Sequence, residues 1–450
     1  MNILSNYPYT KHGSSYRLKS QLSNARNSYN KVAAGSGTIA LSFALAGCNN
    51  DTVTVIPCSE GGDSAGYICV DSEVSPSTEY LTGEAIEMPA EQVPVSGTLG
   101  ADSFVATSGF LTSKTIIDGG DGQDTLALSL QNSIKNSPEI SNIETFSVKS
   151  LGDYSLDLSN VSDLEYIVAE DSLGKVTING LNNPETVFGF SGSGTNNMIL
   201  TSNDLGGNTD ILKLKLNSAE NVSFHAPLGY EKLDIELEGP SSLHYLLANG
   251  LSSAEIYGEG DLTVGSGLKG LSSFSSIDLN GSVVAGITDY EGFSENGLVG
   301  SSLGTDIDLG SSADNFYFVD KADANALNRV NLGPGDDKLN YIISTHSQNF
   351  INGDLGNDSI KLNGEKLTLN DTINGGDGSD KVIIEQSHDN LLNLSETEIL
   401  ILKNIASGKN TVNSADDELS VIMETGKNGM PSDFSILGLP SLSNISVSNA

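Results

Sequence analysis

The feature that most constrains the fold of this 450-residue chain is a regular interval between short Gly-Asp segments. An interval of 21 to 23 residues separates four aspartates in the second half of the chain, Asp314, Asp337, Asp358 and Asp380. Two aspartates in the first half, Asp102 and Asp124, are also 22 residues apart. A fixed period near 20 residues is typical of a solenoid, in which each coil buries its apolar face against its neighbours.

The segments between these aspartates have the sequence pattern of short strands. Apolar and polar residues alternate between Gly, Asn, Ser or Pro residues at 156–158, 176–178, 212–216, 233–237 and 277–279. A glutamate just before such a segment recurs at Glu144, Glu165, Glu185 and Glu398. Alternation with a period of two predicts half-buried strands. We therefore predict an all-β protein, a parallel β-solenoid (β-roll or β-helix) with coils of about 20–23 residues.

The net charge of the chain limits the classes of partner that it can bind. There are 22 Lys and Arg residues against 58 Asp and Glu residues, which gives a formal net charge of −36. A nucleic-acid backbone or an anionic membrane surface would repel such a chain, whereas cations would be attracted to it. The 49 glycines, together with only 37% hydrophobic residues, indicate many turns around a thin core.

The first 47 residues contain five basic residues and no acidic one, and they end in a moderately apolar run. This run is too short and too interrupted for a transmembrane helix, and it indicates an export signal. Its last residues, Leu45-Ala46-Gly47-Cys48, resemble the lipobox of bacterial lipoproteins. The resemblance implies lipidation of Cys48, and hence a lipid anchor at the surface or outer membrane of a Gram-negative-type bacterium.

Residues 48–95 have the composition of a solvated tether. From Asn49 to Val95 there are nine acidic residues, four prolines and no Lys or Arg, so this stretch buries too little apolar surface to fold alone. The remaining two cysteines, Cys58 and Cys69, are a candidate disulfide pair in an oxidising compartment.

The motif with the clearest chemistry is Gly119-Gly120-Asp121-Gly122-Gln123-Asp124-Thr125-Leu126, which returns at 375–382. Looser copies occupy 332–339 and 353–360, and degenerate copies occupy 97–104 and 309–316. The glycines allow a tight turn that exposes its carbonyl oxygens, and the Asp at the sixth position adds a charged oxygen. Such hard ligands suit Ca²⁺ better than Mg²⁺ or Zn²⁺. The alternative is that these segments are ordinary turns without metal.

The motif resembles the haemolysin-type (RTX) calcium-binding repeat, G-G-x-G-x-D-x-U-x. The resemblance implies several Ca²⁺ ions, each held between the turns of successive coils. The matching residues are Gly119, Gly120, Asp121, Gly122, Asp124, Gly333, Gly335, Asp337, Gly353, Gly356, Asp358, Gly375, Gly376, Asp377, Gly378 and Asp380, with Asp102 and Asp314 in the incomplete copies. In contrast to the family's tandem nine-residue array, the spacing gives one motif per coil. We therefore expect calcium along one edge only, and metal-dependent folding of those coils.

Residues 97 to about 310 also resemble the β-solenoid of bacterial surface-layer proteins. The resulting division is an export signal at 1–47, a tether at 48–95, a solenoid at 96–310, calcium-binding coils at 311–400 and a C-terminal cap or secretion signal at 401–450. We expect a non-enzymatic, calcium-ordered structural protein of the cell surface, which self-assembles or meets a cell-surface polysaccharide. The alternative is an RTX adhesin secreted by type I export.

A secreted hydrolase is a third hypothesis. Gly300-Ser301-Ser302-Leu303-Gly304 matches the G-x-S-x-G nucleophile elbow, with His346 and His388 downstream. The elbow requires a strand, a tight turn and a helix, but strand-like sequence follows here. A G-x-G-x-x-G match at 265–270 is not followed by a convincing helix, and there is no H-E-x-x-H zinc motif.

Overall fold

The computed structural model describes strands within residues 11–70, residues 85–87 and most of residues 94–449. The gaps in the last range are 195, 202–208, 227–228, 287–296, 344–345, 364–365, 368–369, 386–390, 404–408, 415–418, 426–432 and 438–443. No α-helix occurs among the described residues. The chain divides into two units, Met1–Tyr80 and Leu81–Ala450.

The described backbone of the first unit consists of seven short strands: Lys11–His12, Ser15–Tyr16, Ser28–Tyr29, Ala33–Gly35, Thr38–Ala44, Thr52–Pro57 and Ile68–Val70. Their pairing is mostly antiparallel. The predicted lipidation at Cys48 and the predicted Cys58–Cys69 disulfide lie outside the residues whose side chains the structure describes.

The second unit is a parallel β-solenoid, as the sequence predicts. One long sheet, sheet A, consists of Ala85–Glu87, Ser103–Thr107, Thr125–Leu130, Thr145–Ser150, Tyr166–Glu170, Val187–Ser191, Ile211–Asn217, Lys232–Glu238, Ser253–Glu259, Ser273–Ser275, Leu279–Asn280, Asp306–Asp308, Leu327–Asn331, Gln348–Asn352, Thr372–Asn374, Leu391–Ser395, Lys409–Ser414 and Asp433–Leu437. Neighbours in this sheet belong to successive coils and run parallel, so each coil adds its strand to the growing edge.

A second parallel sheet of 16 strands, sheet B, forms the facing wall. It consists of Tyr154–Asp157, Val176–Asn179, Asn197–Thr201, Val222–His225, Ser241–Leu247, Leu262–Ser266, Lys269–Leu271, Val283–Ala285, Leu298–Gly300, Asn315–Val319, Lys338–Ile342, Ser359–Asn363, Lys381–Glu385, Ile399–Lys403, Ser420–Thr425 and Asn444–Asn449. A short third sheet of Val95–Ser96, Ile116–Asp118 and Glu139–Ser141 lies in the first coils.

The core is a single column of apolar side chains that point inward from the strands. Ile211–Asn217 and Lys232–Glu238 alternate buried and partly exposed positions in the period-two pattern expected for half-buried strands. Aromatic rings from successive coils stack within this column, as in the pair Phe188 and Phe224, whose centroids are 5.0 Å apart. These rings add to the apolar area that the mainly aliphatic core buries.

Most predicted strands are present, with one exception. The segment 277–279 forms a strand only at Leu279–Asn280, and the side chain of Ile277 is 58% exposed. The predicted alternation fails there because the chain makes a turn between two short strands of the same sheet. Of the four glutamates, Glu144, Glu165 and Glu398 directly precede a strand, whereas Thr186 separates Glu185 from the strand Val187–Ser191.

Candidate metal site

The Gly-Asp turns lie at two different corners of the coil. Turns 97–102 and 119–124 come directly before strands of sheet A, at what we call the entry corner. Turns 309–314, 333–337, 353–358 and 375–380 connect sheet A to sheet B, at what we call the exit corner. The motif turns therefore share one corner within each group, and the two groups occupy different corners. The intervening coils separate the two rows along the stack.

Hydrogen bonds between coils join the motif aspartates into a row at the exit corner. The backbone N–H of each Asp donates to Oδ1 of the Asp in the next coil, at 2.6 Å from Asp314 to Asp337 and at 2.8 Å from Asp337 to Asp358 and from Asp358 to Asp380. Asp380 in turn donates to Oε2 of Glu398 at 2.6 Å. We call this row, Asp314, Asp337, Asp358, Asp380 and Glu398, the exit ladder.

The entry corner has a shorter row with the same connectivity. The N–H of Asp102 donates to Oδ1 of Asp124 at 2.6 Å, and the N–H of Asp124 donates to Oε2 of Glu144 at 2.6 Å. We call Asp102, Asp124 and Glu144 the entry ladder. The sixth-position carboxylate therefore accepts a hydrogen bond from the backbone amide of the preceding coil, and it satisfies a donor that would otherwise be buried without a partner.

Five of the six buried motif carboxylates have one oxygen without a hydrogen-bond partner. Among the described residues, Oδ2 is buried and unpaired in Asp124, Asp314, Asp337, Asp358 and Asp380. These side chains are at most 2% exposed. A buried carboxylate oxygen without a partner is costly, and a proton or a cation would satisfy it.

The electrostatics of the ladders agree with this geometry. Burial, reinforced by neighbouring carboxylates, raises the pKa of Asp337 to about 8. Burial likewise raises the pKa values of Asp314 and Asp358 to about 6, and it raises those of Asp124 and Asp380 above the ordinary range. Because desolvation disfavours the charged form, these carboxyl groups hold a proton at neutral pH more readily than exposed aspartates unless a cation replaces it.

The first glycine of a turn brings a carbonyl oxygen of the next coil close to the unpaired carboxylate oxygen. A Cβ on Gly353 would lie 1.9 Å from the carbonyl oxygen of Gly375 and 2.4 Å from Oδ2 of Asp358. A Cβ on Gly119 would lie 1.7 Å from the carbonyl oxygen of Asn142 and 2.6 Å from Oδ2 of Asp124. Glycine is thus required at this position by the close approach of two oxygens.

Other motif glycines are required for two separate reasons. Gly120 and Gly122 have φ values of 93° and 135°, in the region that side chains with a Cβ rarely adopt. At Gly378, a Cβ would lie 1.6 Å from the carbonyl oxygen of Gly356, which itself has a φ of 139°. The predicted glycines Gly333, Gly335 and Gly376 also face the neighbouring coil at close range.

Three predicted ligands occupy different surroundings from the rest. The side chains of Asp121 and Asp377 are exposed at the tips of their turns, so the structure does not place them in the buried rows. Oδ2 of Asp102 accepts hydrogen bonds from the N–H of Thr98 at 2.6 Å and from its hydroxyl at 3.0 Å. Thr98 stands where a complete motif has its second glycine, and it satisfies the oxygen that is unpaired in Asp124.

The donor set fits a hard cation bound mainly by backbone oxygens. Within the described residues, no three His, Cys, Asp or Glu side chains converge on one point. Asp124, Asp358 and Asp380 instead each offer an unpaired carboxylate oxygen near a backbone carbonyl of the next coil, and Ca²⁺ accepts both kinds of oxygen. Glycines 353 and 356 with Asp358, and glycines 375, 376 and 378 with Asp380, are the residues that would hold such an ion.

A further polar row, which no sequence motif predicts, lies at the entry corner of the later coils. The N–H of Thr305 donates to the side-chain oxygen of Asn328, whose amide donates to Asn349, whose backbone and amide N–H groups donate to Asp371. All four residues are buried. No glycine motif marks them, and the only signal in the sequence is a polar residue at the same interval before a strand. The side chains of Asn328 and Asp371 accept hydrogen bonds from buried backbone N–H groups. Two of the four side chains in this row, those of Asn328 and Asn349, are amides and not carboxylates.

The segment that matches the nucleophile elbow has no strand–turn–helix context. Residues 300–304 connect the strand Leu298–Gly300 to the strand Asp306–Asp308. The side chain of His346 is exposed, and His388 lies outside the described residues.

In the part of the chain that the structure describes, no helix has the length and apolarity needed to cross a membrane. Comparison with family models, curated proteins and solved structures gave no match.

Proposed function

We propose that this chain is a non-enzymatic, calcium-binding structural protein of the cell surface, in which Ca²⁺ orders the coils that carry the ladders. The observation that carries the proposal is the row of four unpaired, buried Oδ2 atoms of Asp314, Asp337, Asp358 and Asp380. A row of buried carboxylates with raised pKa values in a chain of net charge −36 needs positive charge to remain ionised.

The ion would act by replacing the proton at each step. Bound Ca²⁺ would take the carboxylate oxygen and the neighbouring turn carbonyls, and it would remove the repulsion between successive aspartates. The chain's own residues position those oxygens, since the glycines permit the close stacking and the backbone amides fix Oδ1. Because extracellular calcium modules bind at roughly 10⁻⁴ to 10⁻³ M, export to a calcium-rich exterior would favour the folded state.

A calcium titration of the full chain tests the proposal. Isothermal titration calorimetry would count the ions, and far-UV circular dichroism would follow the β signal. We expect several ions and a gain in β structure, both reduced in Asp358→Asn, which keeps an acceptor for Asp337 but loses the charge. Asp323→Asn, at an exposed position, removes the same charge and is the control. No binding up to about 10 mM, well above the extracellular range, would refute the proposal.

A second experiment separates the surface-layer role from the secreted adhesin. A lattice protein forms ordered sheets in the electron microscope only when calcium is present, whereas an adhesin remains a monomer and binds glycans or cells. Fractionation after deletion of residues 1–47 would test the proposed lipid anchor at Cys48, because retention inside the cell would assign export to that segment. Retention only after deletion of the last 50 residues would instead support type I export.

A further inference from the structure

Both ladders end on a glutamate in the position that an aspartate occupies in the preceding coils. Oε2 of Glu144 accepts the N–H of Asp124, and Oε2 of Glu398 accepts the N–H of Asp380, both at 2.6 Å. The chain intervals are 20 and 18 residues, shorter than those between the aspartates. Neither glutamate belongs to a Gly-Asp motif. Two separated rows at two different corners thus have the same ending.

The carbonyl oxygen that a glycine turn would supply is also present in these closing coils. Asn142 and Glu396, each two residues before the closing glutamate, have φ values of 53° and 49°. A Cβ on Gly119 would lie 1.7 Å from the carbonyl oxygen of Asn142, and a Cβ on Gly375 would lie 2.0 Å from that of Glu396. The left-handed residue therefore presents its carbonyl as Gly375 does towards Gly353.

The last aspartate of each ladder directs an unsatisfied oxygen into this gap. Oδ2 of Asp124 and Oδ2 of Asp380 are buried and unpaired, and both side chains are 0% exposed. These oxygens would lie 2.6 Å and 3.0 Å from the same Cβ positions on Gly119 and Gly375 that the closing carbonyls approach. Each closing gap therefore combines a carboxylate oxygen, a backbone carbonyl and a second carboxyl group, as does the gap between turns 353–358 and 375–380.

From this geometry we infer that Glu144 and Glu398 are cation ligands that close the two ladders, so that each ladder holds one divalent cation beyond the last Gly-Asp motif. The inference rests on the proposed calcium function and names residues for it outside the repeat. The longer side chain of Glu spans a gap where the chain has no full glycine turn. The ligands for the closing ion of the exit ladder are Asp380, Glu398 and the carbonyl of Glu396, and for the entry ladder they are Asp124, Glu144 and the carbonyl of Asn142.

Glu165 provides a matched comparison within the chain. Like Glu144, it directly precedes a strand of sheet A, and it lies two residues after a left-handed residue, Asp163, whose φ is 66°. Its side chain is exposed, however, whereas those of Glu144 and Glu398 are partly buried. The coil before it ends in Glu144 and has no motif aspartate. The same local sequence pattern therefore occurs with and without an adjacent ladder.

The test compares Glu398→Gln and Glu144→Gln with Glu165→Gln in the full chain. Metal-free protein is titrated with CaCl₂ by calorimetry, and thermal unfolding is followed with calcium and with chelator. Gln keeps an acceptor for the aspartate N–H but removes the charge. We expect each ladder variant to lose one ion or to bind it about tenfold more weakly or worse, because ligand charge sets calcium affinity. Without calcium, its melting temperature should equal or exceed that of the wild type, since a carboxylate repulsion is removed.

The outcomes separate this inference from the proposed function. A wild type that binds calcium, with Glu398→Gln and Glu144→Gln binding as many ions equally tightly, would refute the closing sites alone. Equal destabilisation of a variant with and without calcium would assign the glutamate a structural capping role only. A wild type that binds no calcium would refute both proposals. The Glu165→Gln control is expected to match the wild type in every measurement.

Discussion

The backbone N–H of Asp337 donates to Oδ1 of Asp358, 2.8 Å away in the next coil, although both side chains are only 1% exposed. Each aspartate of the row therefore has two connections, one through its amide and one through its carboxylate. The second carboxylate oxygen remains unpaired. Hydrogen bonds therefore order the row, but one buried oxygen of each aspartate lacks a hydrogen-bond donor or a cation. Several measurable consequences arise from this combination.

Without metal, the protein should lose stability as the pH rises from about 4 to about 8. The pKa of folded Asp337 is about 8, above its value of about 3.9 in an unfolded chain, so the folded state binds more protons in this window. The stabilisation is complete below the unfolded pKa and is lost as the pH passes the folded pKa. Urea denaturation in chelator at several pH values measures it.

Two variants distinguish this local effect from the general repulsion of an acidic chain. Asp337→Asn should flatten the pH dependence, whereas Asp323→Asn, which removes an exposed charge, should leave its slope nearly unchanged. A metal-free wild type that becomes more stable as the pH rises from 5 to 8 would contradict the raised pKa values of the ladder.

Calcium binding should release protons. At pH 6 to 7 the carboxyl groups of Asp314, Asp337 and Asp358 would be partly protonated in the metal-free fold, because burial raises their pKa values to about 6, 8 and 6. A cation that occupies the same oxygens displaces those protons. Calorimetry in buffers of different ionisation heat measures the number released. A binding heat independent of the buffer at pH 6.5 would argue against binding at the ladders.

Substitution of a stacked glycine should destabilise the solenoid whether or not calcium is present. In Gly378→Ala the new Cβ would lie 1.6 Å from the carbonyl oxygen of Gly356 in the preceding coil, so the coils must move apart at a cost of at least about 2 kcal/mol. Gly109→Ala is the control, since the nearest atom to its Cβ would be 3.8 Å away. The free energies of unfolding from urea titrations give the comparison, and equal values for the two variants would contradict the observed close stacking.

The core should depend on rings that bridge the coils. Phe188→Ala removes a fully buried ring that contacts Phe224, and we expect a loss of about 3–5 kcal/mol in the free energy of unfolding. Phe350→Ala, at a position 44% exposed on the outer face of sheet A, should cost much less. Similar losses for both would indicate that the apolar column is not the main source of stability.

The repeat interval predicted the architecture because a fixed coil length leaves few ways to stack short strands. The same interval did not reveal that turn 119–124 and turn 375–380 lie at different corners, since both directly precede a strand and only the pairing of the strands distinguishes sheet A from sheet B. The pattern of glycines correctly located the buried carboxylates of Asp124 and Asp380.

The remaining parts of the site depend on contacts between coils, which a motif does not encode. The sequence identifies Glu144 and Glu398 only as residues that precede strands, and their place in the ladders depends on the aspartate of the preceding coil. Asp121 stands at a variable position of the motif and Asp124 at the sixth, and the structure buries only the side chain of Asp124. Asp102 matches in sequence, whereas the hydroxyl of Thr98 satisfies its carboxylate.

The ladders also have a direction, because every aspartate amide donates towards the C-terminus. During synthesis or export, the newest coil of a growing ladder always carries a donor whose acceptor has not yet emerged. The backbone N–H of Asp314 can donate to its acceptor only after Asp337 has emerged, and the exit ladder is complete only after Glu398 has emerged. If a ribosome or a secretion channel releases the chain from its N-terminus, Glu398, the final acceptor of the exit ladder, emerges last. The C-terminal end of the exit ladder therefore stays incomplete until Glu398 is released.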